Sequence, residues 1–240
     1  MKKRLFLLPL FAGLALSSCS FEDLMFWKKK SETPSGTTPS GGGSVTPSGD
    51  PRKDPKAPTA DLTIDISVLG EFFDEGYTYP QDDYSFTLET FKFDATAGVG
   101  QKTPEQSGGN YYNEQGALQF RKANHEKGGG VISNYDPIIA SQITIHWFAT
   151  YASEAKQYQP VVKAAESADA VAGSTALTAA EGATVNGTKT DGKQASGSGT
   201  SKQDYDVYAY TTTYDISGKN FFSIGAPNGA MYVKDIVINK

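Results

Sequence analysis

Polar and hydrophobic residues alternate along much of the chain after about residue 61. The segment 61–68 reads Asp-Leu-Thr-Ile-Asp-Ile-Ser-Val, so that every second side chain is apolar. This period of two is typical of a β-strand with one buried face. The strongest such run, 142–151, carries Ile143, Ile145 and Trp147 on one face, which predicts that Trp147 packs in the core. The predicted strands are 61–68, 86–93, 117–121, 130–133, 142–151, 158–162, 206–212, 220–224 and 230–238.

The segments between these strands predict turns, loops and at most one helix. Asn228-Gly229 lies between two apolar runs and is a strong signal for a β-hairpin. We expect 158–162 to pair near the 142–151 strand. The Ala-rich segment 167–180 is the only helix candidate, and the polar segment 182–203 predicts a long exposed loop. About eight short strands separated by turns predict an all-β protein, an antiparallel β-sandwich.

The first 58 residues follow a different pattern. A basic start and a run of about twelve apolar residues predict a signal peptide over 1–18, too short to span a bilayer. The ending Leu-Ser-Ser before Cys19 resembles the bacterial lipoprotein box, which implies that Cys19 is acylated. Residues 20–30 carry Phe26, Trp27 and three lysines, as expected beside a membrane surface, with a docking motif as the alternative. Residues 31–58 are rich in Ser, Thr, Pro and Gly and predict a disordered linker, so 59–240 forms the predicted domain.

Charge and cysteine content argue against a protein that binds duplex nucleic acid and against one stabilised by disulfides. The chain has 22 basic and 27 acidic residues, a net charge of −5. Removal of the signal peptide with its three basic residues lowers this to −8. An acidic chain without a clustered basic face does not favour binding of duplex nucleic acid. Cys19 is the only cysteine, so stability has to come from an apolar core rather than from disulfides.

The order of the predicted strands resembles the galactose-binding-like jelly-roll domains of bacterial surface lipoproteins and of extracellular glycosidases and nucleases. The segments that carry the resemblance are 91–94, 117–122, 129–134, 214–224 and 229–236. The last two are similar to an aromatic hairpin with which the family closes. The resemblance implies a jelly roll, and in many members a carbohydrate-binding module.

The resemblance also implies, in some members, a structural calcium ion close to the last strand. Asp94 and Asp235 would be the candidate ligands here. The family often carries Asp directly after the residue equivalent to Val233, whereas this chain has Lys234. Strict alternation then directs Asp235 to the opposite face. Calcium needs six to eight oxygens, and the spacing here indicates no such set, so we predict no cofactor.

The residues that catalyse hydrolysis in other proteins do not form a recognisable pattern here. The two histidines, His125 and His146, lack a metalloprotease spacing, and no serine lies in a Gly-x-Ser-x-Gly turn. Carboxylates cluster over 71–83 among turn-forming residues, which indicates a solvated loop rather than a glycosidase pair. Gly128-Gly129-Gly130 lacks the spacing of a phosphate loop and predicts a turn. We therefore expect a protein that is not an enzyme.

Aromatic and basic residues remain as candidates for binding a ligand. Sugar rings stack on aromatic planes, and polar side chains bond their hydroxyl groups. Tyr111 and Tyr112 lie among Asn and Gly residues in a polar loop, and Arg121 and Lys122 follow a predicted strand. The exposed face around His146 and Phe148 is the alternative site.

These observations lead to one main hypothesis and two alternatives. We expect a membrane-anchored bacterial lipoprotein, on the cell surface or the periplasmic side, whose module binds a glycan or another surface component. The first alternative is a structural or protein-interaction module of the envelope. The second is an accessory domain of an extracellular glycosidase or nuclease system. The sequence predicts membrane lipid and a glycan or envelope protein as partners, and no nucleic acid.

Overall fold

A computed structural model of the protein describes residues 54–73, 79–102, 116–150, 152, 158–180, 186–196 and 203–240. Within these ranges there are twelve strands, two short helices and one 3-10 turn. They are β1 (Leu62–Asp65), α1 (Ile66–Leu69), the 3-10 turn (Gly70–Phe72), β2 (Tyr84–Leu88), β3 (Phe91–Ala95), β4 (Val99–Lys102), β5 (Ala117–Phe120), β6 (Val131–Asn134), β7 (Gln142–Ala149), β8 (Val161–Ala165), α2 (Ala168–Val171), β9 (Thr188–Ser196), β10 (Gln203–Asp215), β11 (Phe221–Gly225) and β12 (Met231–Asn239).

The strands form two antiparallel sheets packed as a sandwich. The seven-stranded sheet has the order β4-β5-β12-β7-β10-β9, and β1 also pairs with β12. The five-stranded sheet has the order β2-β3-β6-β11-β8. The predicted all-β antiparallel sandwich is therefore confirmed, and its architecture is compatible with a jelly roll. No helix in the described ranges has the length and apolar character needed to cross a bilayer.

The core lies between the sheets and is rich in aromatic side chains. Trp147 is 1% exposed and stacks on Tyr210, with ring centroids 4.4 Å apart. Its Nε1 donates a hydrogen bond of 2.9 Å to Oγ1 of Thr212, which is itself buried. This bond satisfies the indole N–H and the buried hydroxyl together. The prediction that Trp147 packs in the core is confirmed.

Strand β12 organises the seven-stranded sheet. Its first residues pair with β5, its later residues pair with β1, and β7 lies along its other edge. The register with β7 shifts between Val233, opposite Trp147, and Asp235, opposite His146. Lys234 is therefore an extra residue, a β-bulge. Ile236 and Ile238 beyond it are buried because the bulge resets the alternation.

Two predicted strands are interrupted. The segment 86–93 is a hairpin of β2 and β3 that turns at Glu89, whose φ of 51° is left-handed. The Glu89 carboxylate accepts hydrogen bonds from Thr59 N–H at 3.0 Å, Thr59 Oγ1 at 2.7 Å and Ala60 N–H at 3.2 Å. The predicted strand 61–68 ends at Asp65, whose side chain caps α1 through the N–H groups of residues 67 and 68.

The predictions of strand pairing were wrong in two places. Asn228-Gly229 does not form a hairpin, because β11 and β12 belong to different sheets. β11 is flanked on both sides by β6 and β8, so neither of its edges is open to β12. β8 likewise pairs with β11 and not with β7. A turn signal fixes a reversal of the chain, whereas the partner of each strand depends on distant residues.

The predicted loop 182–203 was also wrong, because it contains the edge strand β9. Its polar sequence shows no apolar alternation. Lys189 and Lys193 both pair with Asp206 of β10, Lys189 at 2.9 Å. The predicted helix over 167–180 is limited to the single turn α2.

Candidate ligand-binding face

The candidate site is the outer face of the seven-stranded sheet, the face that points away from the five-stranded sheet. Side chains alternate between faces along each strand, so the register decides which of them are neighbours. Gln119 lies opposite Tyr232, Tyr232 opposite Phe148, and Phe148 opposite Ala209. These four residues form a line across β5, β12, β7 and β10, which we call the outer row.

An apolar cluster separate from the main core lies along the outer row. It consists of the buried residues Ala117, Phe148 and Val207, against which Ala209 and Tyr232 are packed in part. Phe148 is only 4% exposed. The prediction of an exposed face around His146 and Phe148 was therefore wrong for Phe148, whereas the His146 side chain is 39% exposed. The outer face reaches solvent on the two sides of this cluster.

On the first side of the apolar cluster lies a set of aromatic and polar residues that we call the arginine patch: Tyr79, Gln119, Arg121 and Tyr232. The guanidinium carbon of Arg121 lies 4.0 Å from the centroid of the Tyr79 ring, a cation–π contact. Gln119 Nε2 donates to the Tyr232 hydroxyl at 3.2 Å. Among the described residues, Gln119 Oε1 is a buried side-chain oxygen without a hydrogen-bond partner.

The ionisation of Tyr79 reflects this crowded arrangement. Burial raises the pKa of the Tyr79 phenol above its usual value, the nearby Tyr232 phenol raises it further, and Arg121 opposes both effects. Tyr79 therefore stays neutral at physiological pH. A neutral phenol ring with a fixed guanidinium above it is a surface that can stack on or bond to a ligand.

The second side is formed by His146 and Asp235. Nδ1 of His146 is hydrogen-bonded to Oδ1 of Asp235, and the two side chains are 39% and 16% exposed. Asp235 also lies 4.0 Å from the Lys234 ammonium. An ionised carboxylate only accepts, so the His146 Nδ1–H donates, and Nε2 is an acceptor for a ligand hydroxyl when the ring is neutral.

The position of Asp235 corrects a prediction from the sequence. Strict alternation directs Asp235 to the face opposite that of Lys234. The bulge at Lys234 absorbs one residue, so Asp235 lies beside His146 on the outer face. A bulge shifts the alternation of the residues that follow it by one position, and nothing in the local sequence marks it.

The structure places two of the predicted site residues on the same face of the sheet without contact between them. Arg121 and His146 belong to the same sheet face, on opposite sides of the outer row. Lys122 follows Arg121 and is exposed. Tyr111, Tyr112 and Cys19 lie outside the described residues, as does most of the 19–58 segment.

Sequence reasoning missed the contribution of Tyr79, Gln119 and Tyr232. Alternation along 117–121 and 230–238 does direct Gln119 and Tyr232 away from the core, so that signal was available. It does not show that β5 and β12 are neighbours. Tyr79 lies between strands, and no periodic pattern locates it.

The calcium pair considered above does not form. Asp94 is on β3, where its carboxylate accepts from Ser85 Oγ at 2.6 Å, and Asp235 is on β12. These strands belong to different sheets, and both side chains point outward, so they lie on opposite surfaces of the sandwich. In the described part of the chain, no three His, Cys, Asp or Glu side chains are grouped to hold a metal.

Comparison with known proteins adds no family to these observations. No protein-family model, curated protein or solved structure matches the chain.

Proposed function

We propose that the protein is a membrane-anchored bacterial lipoprotein whose sandwich is a galactose-binding-like module that binds a glycan without modifying it. The observation that carries this proposal is the arginine patch, where two tyrosines, an amide and a guanidinium adjoin on one sheet face. Aromatic planes suit the apolar faces of sugar rings, and amide and guanidinium groups suit their hydroxyls. A rigid sheet holds these groups without a large ordering cost on binding.

The anchoring part of the proposal rests on the sequence around Cys19. Lipoproteins carry two or three acyl chains, and each buried methylene contributes about 0.8 kcal/mol to membrane attachment. The described chain starts at 54 and is held to the sandwich from Lys56, where Ile139 N–H donates to the Lys56 carbonyl at 2.8 Å. The proposed tether therefore reaches the sandwich near residue 56.

His146 and Asp235 support the proposal from the other side of the outer row. Asp235 orients the imidazole and leaves a ring nitrogen that bonds a hydroxyl in a defined direction. A glycan of several residues could contact the arginine patch with one ring and His146 with another. Two contact regions on one face favour an extended ligand over a single small sugar.

The test is binding of the full chain, purified in detergent micelles, to an array of bacterial and host glycans. Tyr232→Ala should reduce the affinity for the best ligand about 5–150-fold, as expected for loss of a well-placed aromatic contact. Tyr135→Ala is the matched control, because Tyr135 also lies beneath a cation but belongs to the segment after β6 of the other sheet. An equal loss in both variants, or none in either, would contradict the proposed site.

The polar loop with Tyr111 and Tyr112 is a second segment that the sequence predicts to contact the ligand. Replacing both tyrosines by Ala should lower the affinity for the same glycan by about 5–150-fold if that loop adds to the binding face. Thermal unfolding of this variant is the control. A large drop in melting temperature would mean that the two tyrosines are packing residues.

One observation favours the alternative, a protein-interaction module. Strand β10 extends beyond β7, and among the described strands β9 is the one that pairs with its residues 203–206. Tyr205 on this extension is 41% exposed. A strand extension that is paired on one side within the described ranges and carries an exposed aromatic residue can add a strand from a partner. Photo-crosslinking from position 205 to an envelope protein, unaffected by added glycan, would favour this function.

A further inference from the structure

Arg121 differs from the other stacked cation of the described chain in its surroundings. Its side chain is half-buried, and within the described ranges its guanidinium contacts Tyr79, over whose ring it lies and whose phenol it bonds, and makes a long hydrogen bond of 3.5 Å from Nη1 to the Lys127 carbonyl. No Asp or Glu of the described residues pairs with it. Within the described ranges the guanidinium therefore has no carboxylate partner, although its planar set of N–H donors matches a carboxylate.

Lys92 provides the comparison within the same protein. Its ammonium lies 4.4 Å from the centroid of the Tyr135 ring, a cation–π contact like that of Arg121. However, Asp94 lies 3.7 Å from the Lys92 ammonium, so this cation already has an anion of the protein beside it. Of these two stacked cations, Arg121 is the one beside which no carboxylate lies within the part of the chain that the structure describes.

The loop that follows Arg121 adds positive charge and is held in place by its own hydrogen bonds. Residues 121–130 contain Arg121, Lys122 and Lys127 against the single acid Glu126, in a chain whose net charge is negative. Arg121 N–H donates to Gly98 O at 2.8 Å, and Gly130 N–H donates to Arg121 O at 3.0 Å. The backbone on both sides of the guanidinium is thus fixed.

The close packing of two glycines explains why the loop keeps this shape. A Cβ on Gly130 would lie 2.6 Å from the Gly98 carbonyl oxygen, and a Cβ on Gly98 would lie 2.5 Å from the Gly129 carbonyl. Only glycine permits this approach of the two backbones. The loop therefore presents a preformed cation rather than one that must be ordered on binding.

From these observations we propose that Arg121 receives the carboxylate of an acidic sugar. The inference rests on the proposed glycan-binding function and names the class of glycan. A guanidinium bonds a carboxylate through two parallel N–H donors, and the stacked Tyr79 ring fixes its plane. Lys122 and Lys127 add long-range attraction, and Tyr232 offers a plane on the same patch.

The test compares ligands that differ only in charge. Trigalacturonic acid and sialyllactose are titrated by calorimetry into the full chain in detergent micelles, each beside its methyl ester, which keeps the hydroxyls and removes the negative charge. The variants are Arg121→Gln, Arg121→Lys and, as the matched control on the other sheet, Lys92→Gln. Thermal unfolding of each variant shows whether it is folded.

We expect at least one acid to bind at least tenfold more tightly than its ester, because hydrogen bonds between charged groups are the strong ones. Arg121→Gln should remove this preference, Arg121→Lys should retain only a small part of it, and Lys92→Gln should leave it unchanged. Equal binding of acid and ester, unaltered binding by Arg121→Lys, or competition by inorganic phosphate as strong as that by the acidic sugar would overturn the inference.

The outcomes also separate this inference from the proposed function. If neither acid binds but neutral glycans of the array bind in a manner sensitive to Tyr232→Ala, the glycan-binding function stands and the acidic-sugar inference fails. If no glycan of either kind binds, both fail.

Discussion

Deleting Lys234 should leave the fold intact, because this residue is the extra residue of a β-bulge. Without it, Val233 would precede Asp235 directly, and the alternation of buried and exposed residues along β12 would become regular. Asp235 would still lie opposite His146. Since the Lys234 side chain is exposed, the deletion removes no core contact. We expect a change in the free energy of unfolding of about 1 kcal/mol or less, close to that of a surface substitution.

Deleting Val237 from the same strand is the matched control. It moves Ile238, which is fully buried, to the outer face and brings Asn239 into its place. Exposure of an isoleucine costs about 1.5–3 kcal/mol, and burial of an unpaired amide costs about 1–3 kcal/mol more. The sum, about 2.5–6 kcal/mol, is a large share of the 5–15 kcal/mol that stabilises a typical domain.

The assay is urea denaturation followed by tryptophan fluorescence, with circular dichroism to check that the β-structure is retained. The expected order of stability is wild type, then the Lys234 deletion close behind, then the Val237 deletion. If the two deletions destabilise the protein equally, Lys234 is not an extra residue, and the pairing of Asp235 with His146 loses its basis.

Three further predictions concern the core, the tether and the anchor. Trp147→Phe should lower the free energy of unfolding by about 2–4 kcal/mol, since it removes volume and leaves the buried Thr212 hydroxyl unpaired; adding Thr212→Val should recover about 1 kcal/mol in urea denaturation. The pKa of Glu89 is lowered in the folded protein because Thr59 bonds its carboxylate. The ionised carboxylate therefore stabilises the fold above the unfolded-state pKa of about 4.3, and this stabilisation is lost as the pH falls through the folded-state pKa. Glu89→Gln should therefore reduce the melting temperature at pH 7 and not at pH 2; an equal reduction at both would exclude a role for the charge. Cys19→Ala should block processing or release soluble protein on cell fractionation, and normal membrane retention with cleavage before residue 19 would contradict acylation.

The parts of the fold that follow from local alternation could be predicted from the sequence. The 142–151 run predicts β7 because one of its faces is fully apolar, and 230–238 predicts β12 because apolar residues recur on both sides of the bulge at Lys234. β9 could not be predicted, since an edge strand whose lysines pair with Asp206 carries no apolar signal. The partners of β8 and β11 depend on residues far away in the chain, which a single sequence does not reveal.

The candidate site, like the fold, could be predicted from the sequence only in part. Alternation directs Arg121 and His146 outward, and both do lie on one outer face. Their neighbours depend on the register between β5, β12 and β7, and on a bulge that shifts Asp235 by one position. Tyr79 enters the site from a segment between strands. Side-chain direction could therefore be read from the sequence, whereas the composition of the site required the tertiary structure.

The proposed binding face is tested most directly by mapping the bound glycan on the full chain by hydrogen–deuterium exchange, using the tightest ligand from the array. We expect slower exchange in peptides that cover 117–130 and 230–236, which carry Gln119, Arg121 and Tyr232 of the arginine patch. We expect no change over 84–95, on the opposite sheet. Slower exchange confined to the five-stranded sheet, or to the β9–β10 hairpin, would contradict the claim that the outer face of the seven-stranded sheet binds the ligand.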